Sequence, residues 1–236
     1  MKITVLSQWY APEPEAKSHI LAKDLASRGH TVTAITGFPN YPQGKLYPGY
    51  SIHWRKWEIR DNVRILRVPL YPDHSRSALK RIANYGSFAL SASTLGLALA
   101  GPADIVWVYH PPLTTSLPAL ALSSVHRVPF VYEIQDMWPE TLAATGMATS
   151  RRLLGMAGSL ARFVYRRASA VTVISPGFKH NLIDKGVPAD KIHIIPNWAD
   201  EDVYHPCERD EALARQAGLD GHFNVVYAGN LGAAQA

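Results

Sequence analysis

The chain opens on two short β-branched strands separated by one helical segment, and this alternation constrains the fold more than any other feature. Ile3–Ser7 reads as a strand, Ser18–Arg28 as a helix with Ile20, Leu21 and Leu25 near helical spacing, and Thr31–Thr36 as a second strand. Gly29 stands where the helix must stop, because it takes positive φ without strain. Strand, helix and strand in such close succession make a βαβ unit. The alternation continues through strands at Val63–Val68, Ile105–Tyr109, Phe130–Ile134, Ala170–Ile174 and Ile192–Pro196. Helical segments lie mainly in Arg76–Leu99, Ser150–Arg167 and Gly177–Lys185. Continuous apolar strands alternating with helices predict a mostly parallel sheet covered on both faces, a doubly wound α/β domain. Trp54–Arg60 and Val63–Arg67 flank Asp61-Asn62, which reads as a hairpin turn.

Of 236 residues, 47% are hydrophobic and 18% charged, which excludes the disordered classes. Cys207 is the single cysteine, so no disulfide forms within the chain, and a reducing compartment is expected. No charged leader and apolar run precede the first strand, so the expected location is cytoplasmic. Residues 1–200 hold 22 Lys and Arg against 13 Asp and Glu, a net +9, whereas 201–236 carry −4. A basic field of this kind suits phosphorylated ligands, nucleic acid or an anionic membrane. Residues 1–200 are expected to form one domain and 201–222 a polar linker with a short helix. Residues 223–236, with a strand at Asn224–Ala228, are expected to begin a second, truncated domain. Ile82–Ala103 carries no charge over 22 residues, long enough to span a bilayer. Its Ala, Ser and Gly content, Asn84 and the closing Gly101-Pro102 favour a helix packed on the sheet. Ile105–His126 is also uncharged but is broken by Pro111, Pro112 and Pro118, giving a strand, a loop and a buried helix.

Open α/β sheets bind ligands beyond the carboxyl ends of their strands. The residues there are Gln8 to Glu15, Gly37 to Pro42, His110-Pro111-Pro112, Gln135 to Glu140, Ser175-Pro176-Gly177 and Asn197-Trp198. Aromatic faces in these loops suit sugar rings, and His110 or Asp136 suits a proton acceptor or hydrogen-bond anchor. His110 ending a strand as an ordinary capping residue fits the pattern equally well. Phe38, Tyr41, Tyr47, Tyr50, Trp54 and Trp57 form an aromatic insert that suits an amphiphilic ligand or a self-packed lid. The chain has no G-x-G-x-x-G after the first strand, no P-loop, no G-x-S-x-G elbow and no metal-ligand spacing at Cys207. In Ser150–Arg167, Arg151, Arg152, Arg162 and Arg166 fall on one helical face, opposite Leu153, Ala157, Leu160, Ala161 and Val164. The basic face is a solvated surface or a contact for phosphate and anionic lipid.

Ile3-Thr4-Val5-Leu6-Ser7-Gln8, Ala11-Pro12-Glu13 and Leu25-Ala26-Ser27-Arg28-Gly29-His30-Thr31-Val32-Thr33 together resemble the amino-terminal half of glycosyltransferase family 4. Asn40-Tyr41-Pro42-Gln43-Gly44, Tyr47-Pro48-Gly49-Tyr50 and Glu133-Ile134-Gln135-Asp136-Met137-Trp138-Pro139-Glu140 are similar to its WbuB-like branch. That branch builds O-antigen (lipopolysaccharide), capsular and exopolysaccharide units. Ile195-Pro196-Asn197-Trp198 resembles the end of the family's first domain, and Tyr227-Ala228-Gly229-Asn230-Leu231-Gly232 the start of its second.

The resemblance implies a retaining enzyme of the GT-B architecture, two Rossmann-like domains around a cleft. It implies transfer of a hexosyl or hexosamine-type sugar from a nucleotide-sugar donor. The acceptor is a polyprenyl-diphosphate-linked or oligosaccharide substrate at the inner membrane face. No cofactor, metal or nucleic acid is expected. It implies catalytic roles for His110 and Asp136 and acceptor contacts from Trp9, Glu13, Lys17, Tyr41, Trp138 and Glu140. Donor contacts are implied for Gly229, Asn230, Leu231 and Gly232. The family's E-x7-E glutamates are expected beyond residue 236, and the chain alone is expected to be inactive. Glu15-Ala16-Lys17 departs from the paired glycines and basic residue that many members carry there. Glu15 would repel a donor diphosphate and Lys17 would offset it. A nucleotide-sugar epimerase of the same architecture and a non-catalytic ligand-binding module are the alternatives.

Overall fold

The computed structural model describes residues 1–14, 17–75, 77–144, 146, 150–199, 201 and 204–227. Met1–Asn197 forms one compact unit and Trp198–Ala236 a second. The first unit runs β1 (Lys2–Leu6), α1 (Lys17–Ser27), β2 (Thr31–Gly37), β3 (Lys56–Arg60), β4 (Val63–Val68), α2 (Ala78–Ser91), a π-helical turn at Ala92–Gly96 and α3 (Leu97–Leu99). It continues through β5 (Ile105–His110), α4 (Ser116–His126), β6 (Phe130–Ile134), α5 (Glu140–Ala144), α6 (Arg151–Arg167), β7 (Ala170–Val173), α7 (Pro176–Asp184) and β8 (Ile192–Ile194). The eight strands form one sheet in the order β3-β4-β2-β1-β5-β6-β7-β8. All neighbouring pairs are parallel except β3 with β4.

This is the expected doubly wound α/β sheet, and its core explains why the strands read as continuous apolar runs. Leu6, Ile35, Leu66, Val108 and Ile134 pack with Phe88, Ala119 and Val164 of the helices on one face. Val5, Val32, Ala34 and Ile65 pack with Ala22 of α1 on the other. α1 buries Ser18 and Ala22, with Leu25 and Ala26 partly buried, whereas Ile20 and Leu21 stay half-exposed. Small residues let the helix sit close to the strands. Gly29 closes α1 at φ +84°, donating to Ala26 O at 3.0 Å. Gly37 serves close approach instead: a Cβ there would meet Leu70 Cδ2 at 2.1 Å.

Asp61 and Asn62 both have positive φ, 48° and 60°, so the β3–β4 turn has the twist two-residue hairpins prefer. At the far end of the hairpin from this turn, opposite Lys56, Arg67 is fully buried. Its Nε donates to Glu58 Oε2 at 2.9 Å, and its terminal nitrogens donate to Gly37 O at 3.0 Å and Ala11 O at 2.6 Å. One guanidinium thus ties the edge hairpin to the loops that follow β1 and β2.

The uncharged run from Ile82 is a helix packed on the sheet. Asn84, Phe88, Ala89, Ser91, Ala92 and Gly96 are buried, while Ile82 and Leu90 face out. Asn84 accepts from Gln8 Nε2 at 2.6 Å and donates to Tyr71 O at 2.7 Å, so the one amide in the run pins α2 to two site loops. Among the described residues no helix is long and apolar enough to cross a membrane. α6 buries Gly158, Ala161, Val164 and Tyr165 and exposes Arg151, Arg152, Arg162 and Arg166, as its periodicity predicts. Leu153 corrects that reading, being 54% exposed. It sits in the first turn of α6, where the helix lines a groove with α2 rather than the sheet.

In the second unit, α8 (Glu211–Gln216) is capped by Asp210, whose carboxylate accepts from Ala212 N and Leu213 N at 2.9 Å each. Residues 224–227 take no strand pairing here, contrary to the expected strand at Asn224–Ala228. A strand requires a hydrogen-bonded neighbour.

Replacing Arg67 with Met would leave Glu58 with Lys56 as its remaining partner, at 3.0 Å, and two buried carbonyls unpaired. We expect R67M to lose about 3–5 kcal/mol of unfolding free energy. Urea melts of wild type and variant measure this, and a loss under about 1 kcal/mol would mean that the clamp is replaceable by packing.

Candidate functional site

The carboxyl ends of the parallel strands gather five loops at one edge of the sheet. These are residues 7–14 after β1, 38–50 after β2, 69–75 after β4, 110–115 after β5 and 135–139 after β6. Glu13 is the first expected site residue among them, and it faces inward. It is 3% exposed. Its Oε1 accepts from Asn40 N at 2.8 Å and Tyr41 N at 2.7 Å, and its Oε2 from Tyr10 N at 2.9 Å. Burial pushes its carboxyl pKa up, and the three backbone bonds and Arg67 oppose that shift. The reading of Glu13 as an acceptor contact is therefore corrected. Its oxygens are committed to backbone N–H groups, and it holds Tyr41 in position.

Tyr41 stands between Trp9, at 4.8 Å and 35° between ring planes, and His74, at 5.0 Å and 84°. The Tyr47 hydroxyl fixes the Tyr41 carbonyl at 2.8 Å. The aromatic insert thus divides. Phe38 is buried and Tyr41 joins the site. Trp54 and Trp57 turn outward under Arg55 and Arg64, at 4.3 and 4.8 Å.

Asp136 lies partly buried after β6, and burial raises its carboxyl pKa. It shares its electrostatic surroundings with Tyr85 of α2, which also feels Arg81 and Tyr41. The charges of Arg81 and Asp136 thus act through space on Tyr85, which also feels Tyr41, the ring that packs on Trp9. His74, Arg81 and Tyr85 carried no motif in the sequence. Arg81 and Tyr85, one helical turn apart at the start of α2, were the legible signal.

His110 ends β5 and is 1% exposed. The edge of its ring meets Trp138 at 5.6 Å and 81°, and Tyr132 lies at 5.7 Å. Neither ring nitrogen has a hydrogen-bond partner among the described residues. Burial pushes its pKa down to about 3, so the imidazole is neutral near pH 7. Its carbonyl accepts from Gln135 N at 3.2 Å, which couples the end of β5 to the loop carrying Asp136.

Lys17 and Glu140 lie apart from the aromatic group. Lys17 Nζ bonds Asn197 Oδ1 and reaches Glu133 Oε1 at 3.5 Å, and Glu133 also accepts from Gln135 Nε2. Glu140 is paired with Lys185 Nζ at 2.5 Å at the margin of α5. Gly229, Asn230, Leu231 and Gly232 lie outside the described residues. Among the described residues, no group of three or more His, Cys, Asp or Glu is placed to hold a metal ion.

The neutral imidazole sets a pH dependence. The folded-state pKa of His110 lies below the unfolded value, so the unfolded chain takes up the extra proton as pH falls. Stability from this group is full above about pH 6.5 and falls by about 1.4 kcal/mol per pH unit below it, until the folded pKa is reached. We expect H110F to remove that slope between about pH 6 and 4.5. Glu13 and Asp136, whose raised carboxyls work in the opposite direction, stay the same in both proteins. Parallel pH–stability profiles for H110F and wild type would show that His110 titrates freely.

Comparison with known proteins agrees with this geometry. Residues 15–198 match the family model described as a glycosyl transferase 4-like domain. The colanic acid biosynthesis glycosyl transferase WcaI of Escherichia coli K12 is 30% identical over 246 aligned residues, covering 100% of this chain and 60% of that protein. The alpha-galactosylglucosyldiacylglycerol synthase of Streptococcus pneumoniae is 31% identical over 80 residues, 31% of this chain and 21% of that protein. The chain therefore spans 60% or less of the length of these curated relatives. Anabaena HepE, solved in complex with UDP-glucose, superposes with a TM-score of 0.54 at 18% identity, over 94% of this chain and 51% of that one. That likeness shows the fold, a doubly wound α/β domain that spans about half of the other chain. On the match of 15–198 to the family model, the chain belongs to the glycosyl transferase 4-like domain family.

Proposed function

We propose that this domain holds the acceptor for sugar transfer from a nucleotide-sugar donor, with retention at the anomeric carbon, in the synthesis of a cell-surface polysaccharide. The observation that carries the reading is the group formed by Trp9, Tyr41, Tyr85 and Asp136 at the carboxyl edge of the sheet. Stacked aromatic rings bind the apolar faces of a sugar. A carboxylate with a raised pKa beside them suits a group that accepts or orients a hydroxyl proton. His110 contributes a neutral ring whose two nitrogens have no hydrogen-bond partner among the described residues, which suits a hydrogen-bond group reserved for a sugar hydroxyl.

Most of the barrier in such a transfer is lowered by positioning and by stabilising the leaving diphosphate. The first is the role of this domain. The second is assigned to the donor half, with Gly229–Gly232 offering backbone N–H groups and no metal required. Family membership and the likeness to WcaI support glycosyl transfer. A lipid-linked acceptor, polyprenyl-diphosphate in type, is our finer reading. The diacylglycerol-named relative and the basic face of α6 support it, since Arg151, Arg152, Arg162 and Arg166 are all exposed there. Each basic residue near an anionic leaflet contributes about 1 kcal/mol, so peripheral attachment to the cytoplasmic membrane face follows from several together.

The test uses the whole protein with a nucleotide sugar and a lipid-linked acceptor. Asp136→Asn is expected to cut turnover by about 10²–10⁴-fold while leaving the melting temperature unchanged or raised, because it removes a poorly solvated carboxylate. The product anomer, read by NMR coupling constants, is expected to match the donor. Turnover of the variant equal to wild type would remove Asp136 from the reaction, and an inverted product would overturn retention.

A further inference from the structure

A groove of about 240 Å³ opens between the first turns of α2 and the α5–α6 pair. Its walls are Ile82, Tyr85 and Gly86 on one side and Trp138, Leu142 and Leu153 on the other. Its polar side-chain groups are those of Arg81 and Thr114, the Tyr85 hydroxyl and the Trp138 indole N–H. Arg81 Nε and Thr114 Oγ1 are buried atoms with no hydrogen-bond partner among the described residues. Buried polar atoms are normally paired, so two orphans in an otherwise apolar groove point to a ligand carrying oxygens at one end. Trp138 and Tyr85 join the groove to the candidate site: Trp138 packs on His110, and Tyr85 shares its surroundings with Asp136.

We propose that this groove binds the apolar chain of a single-chain phospho-lipid, with the phosphate at Arg81 and the polar head toward Asp136. The proposal rests on the acceptor reading above and gives the lipid part its own site. Size favours a segment of chain, because pockets enclosing a whole drug-sized ligand run roughly 300–1,000 Å³. Composition favours an amphiphile over a free sugar, because most of the lining, Ala78, Ile82, Gly86, Leu142 and Leu153, offers no side-chain hydrogen bond. Charge favours an anionic head: Lys80 and Arg81 lie in the first turn of α2, and Arg151 and Arg152 in the first turn of α6. The rim is apolar between these charges, with Leu79 79%, Ile82 62% and Leu153 54% exposed. Lipid chains entering from an anionic surface meet that pattern.

Binding is measured on this chain without donor, by calorimetry with dodecyl phosphate below its micellar concentration. Dodecyl maltoside and inorganic phosphate are the two comparison probes. Dodecyl phosphate is expected to bind saturably and at least about tenfold more tightly than the maltoside, because only it pairs with Arg81. Gly86→Phe fills the groove from a position where an added Cβ meets nothing within 4 Å. It is expected to weaken dodecyl phosphate by at least about tenfold through lost chain burial. Arg81→Gln is expected to weaken dodecyl phosphate similarly and leave the maltoside unchanged. Ile82→Asp, at an exposed position that puts no load on folding, repeats the test should G86F melt early.

Unchanged binding in G86F and I82D would overturn the chain site. Unchanged binding in R81Q would overturn the phosphate contact, and inorganic phosphate competing at equal affinity would reduce the site to one for a free anion. The acceptor reading fails separately. Groove-dependent lipid binding, together with whole-protein transfer to a water-soluble acceptor that G86F does not alter, would keep the groove and remove the lipid acceptor. Transfer to a lipid-linked acceptor without any dodecyl phosphate binding would do the reverse.

Discussion

A full positive charge with no solvent exposure organises the site edge of the sheet. Arg67 is stable there because its guanidinium meets Glu58 and the carbonyls of Ala11 and Gly37. Glu13 is the negative counterpart, buried nearby and influenced by Arg67 through space. It gathers the N–H groups of Tyr10, Asn40 and Tyr41. The two charges are fastened to complementary backbone groups, carbonyls for the cation and amides for the anion. Loop backbone that has no strand partner is thereby satisfied, which burial requires. The loops after β1 and β2 can then be irregular in path and still fixed in place. Trp9 and Tyr41, the tilted ring pair, project from these two loops.

The deeper part of the site follows a different rule. His110 is surrounded by Trp138, Tyr132 and the apolar core, so its charged form is disfavoured and its nitrogens remain available. Asp136 is pushed toward its neutral form by the same lack of solvent. Low local dielectric strengthens every polar contact a ligand makes there and penalises every one left unmade. A site built this way favours a substrate whose hydroxyls match its few polar atoms over one that only fills the space.

The strands were legible because a parallel sheet covered on both faces demands apolar runs, and Val5, Val32, Val108 and Val173 meet that demand in sequence. The hairpin was legible because Asp and Asn tolerate the left-handed backbone at residues 61 and 62. Glu13 was legible as a site residue but not in its role, since its Asn40 and Tyr41 partners come from another loop. Arg67 carried a readable signal: it shares a β4 face with Val63 and Ile65, so alternation alone sends it inward. What alternation could not supply was its acceptors, which come from Ala11, Gly37 and Glu58. Leu153 was misplaced for the complementary reason. Helical periodicity gives a direction around the axis but does not say where along α6 the sheet ends.

The placement of α2 connects these features. The helix runs along the sheet, its Tyr85 within electrostatic reach of Asp136, held by Asn84 to the loops after β1 and β4 and by Ser91, whose hydroxyl donates to Pro69 O at 2.5 Å. The π-helical turn that follows it lies close on the strands, where a Cβ at Gly96 would reach Ile35 Cγ2 at 3.1 Å. The outer face of α2 is released from that constraint, yet Leu79, Ile82 and Leu90 remain apolar and exposed. Solvation alone would favour polar residues at those positions. An exposed apolar face beside Lys80 and Arg81 suits a ligand or surface that is itself apolar and negatively charged.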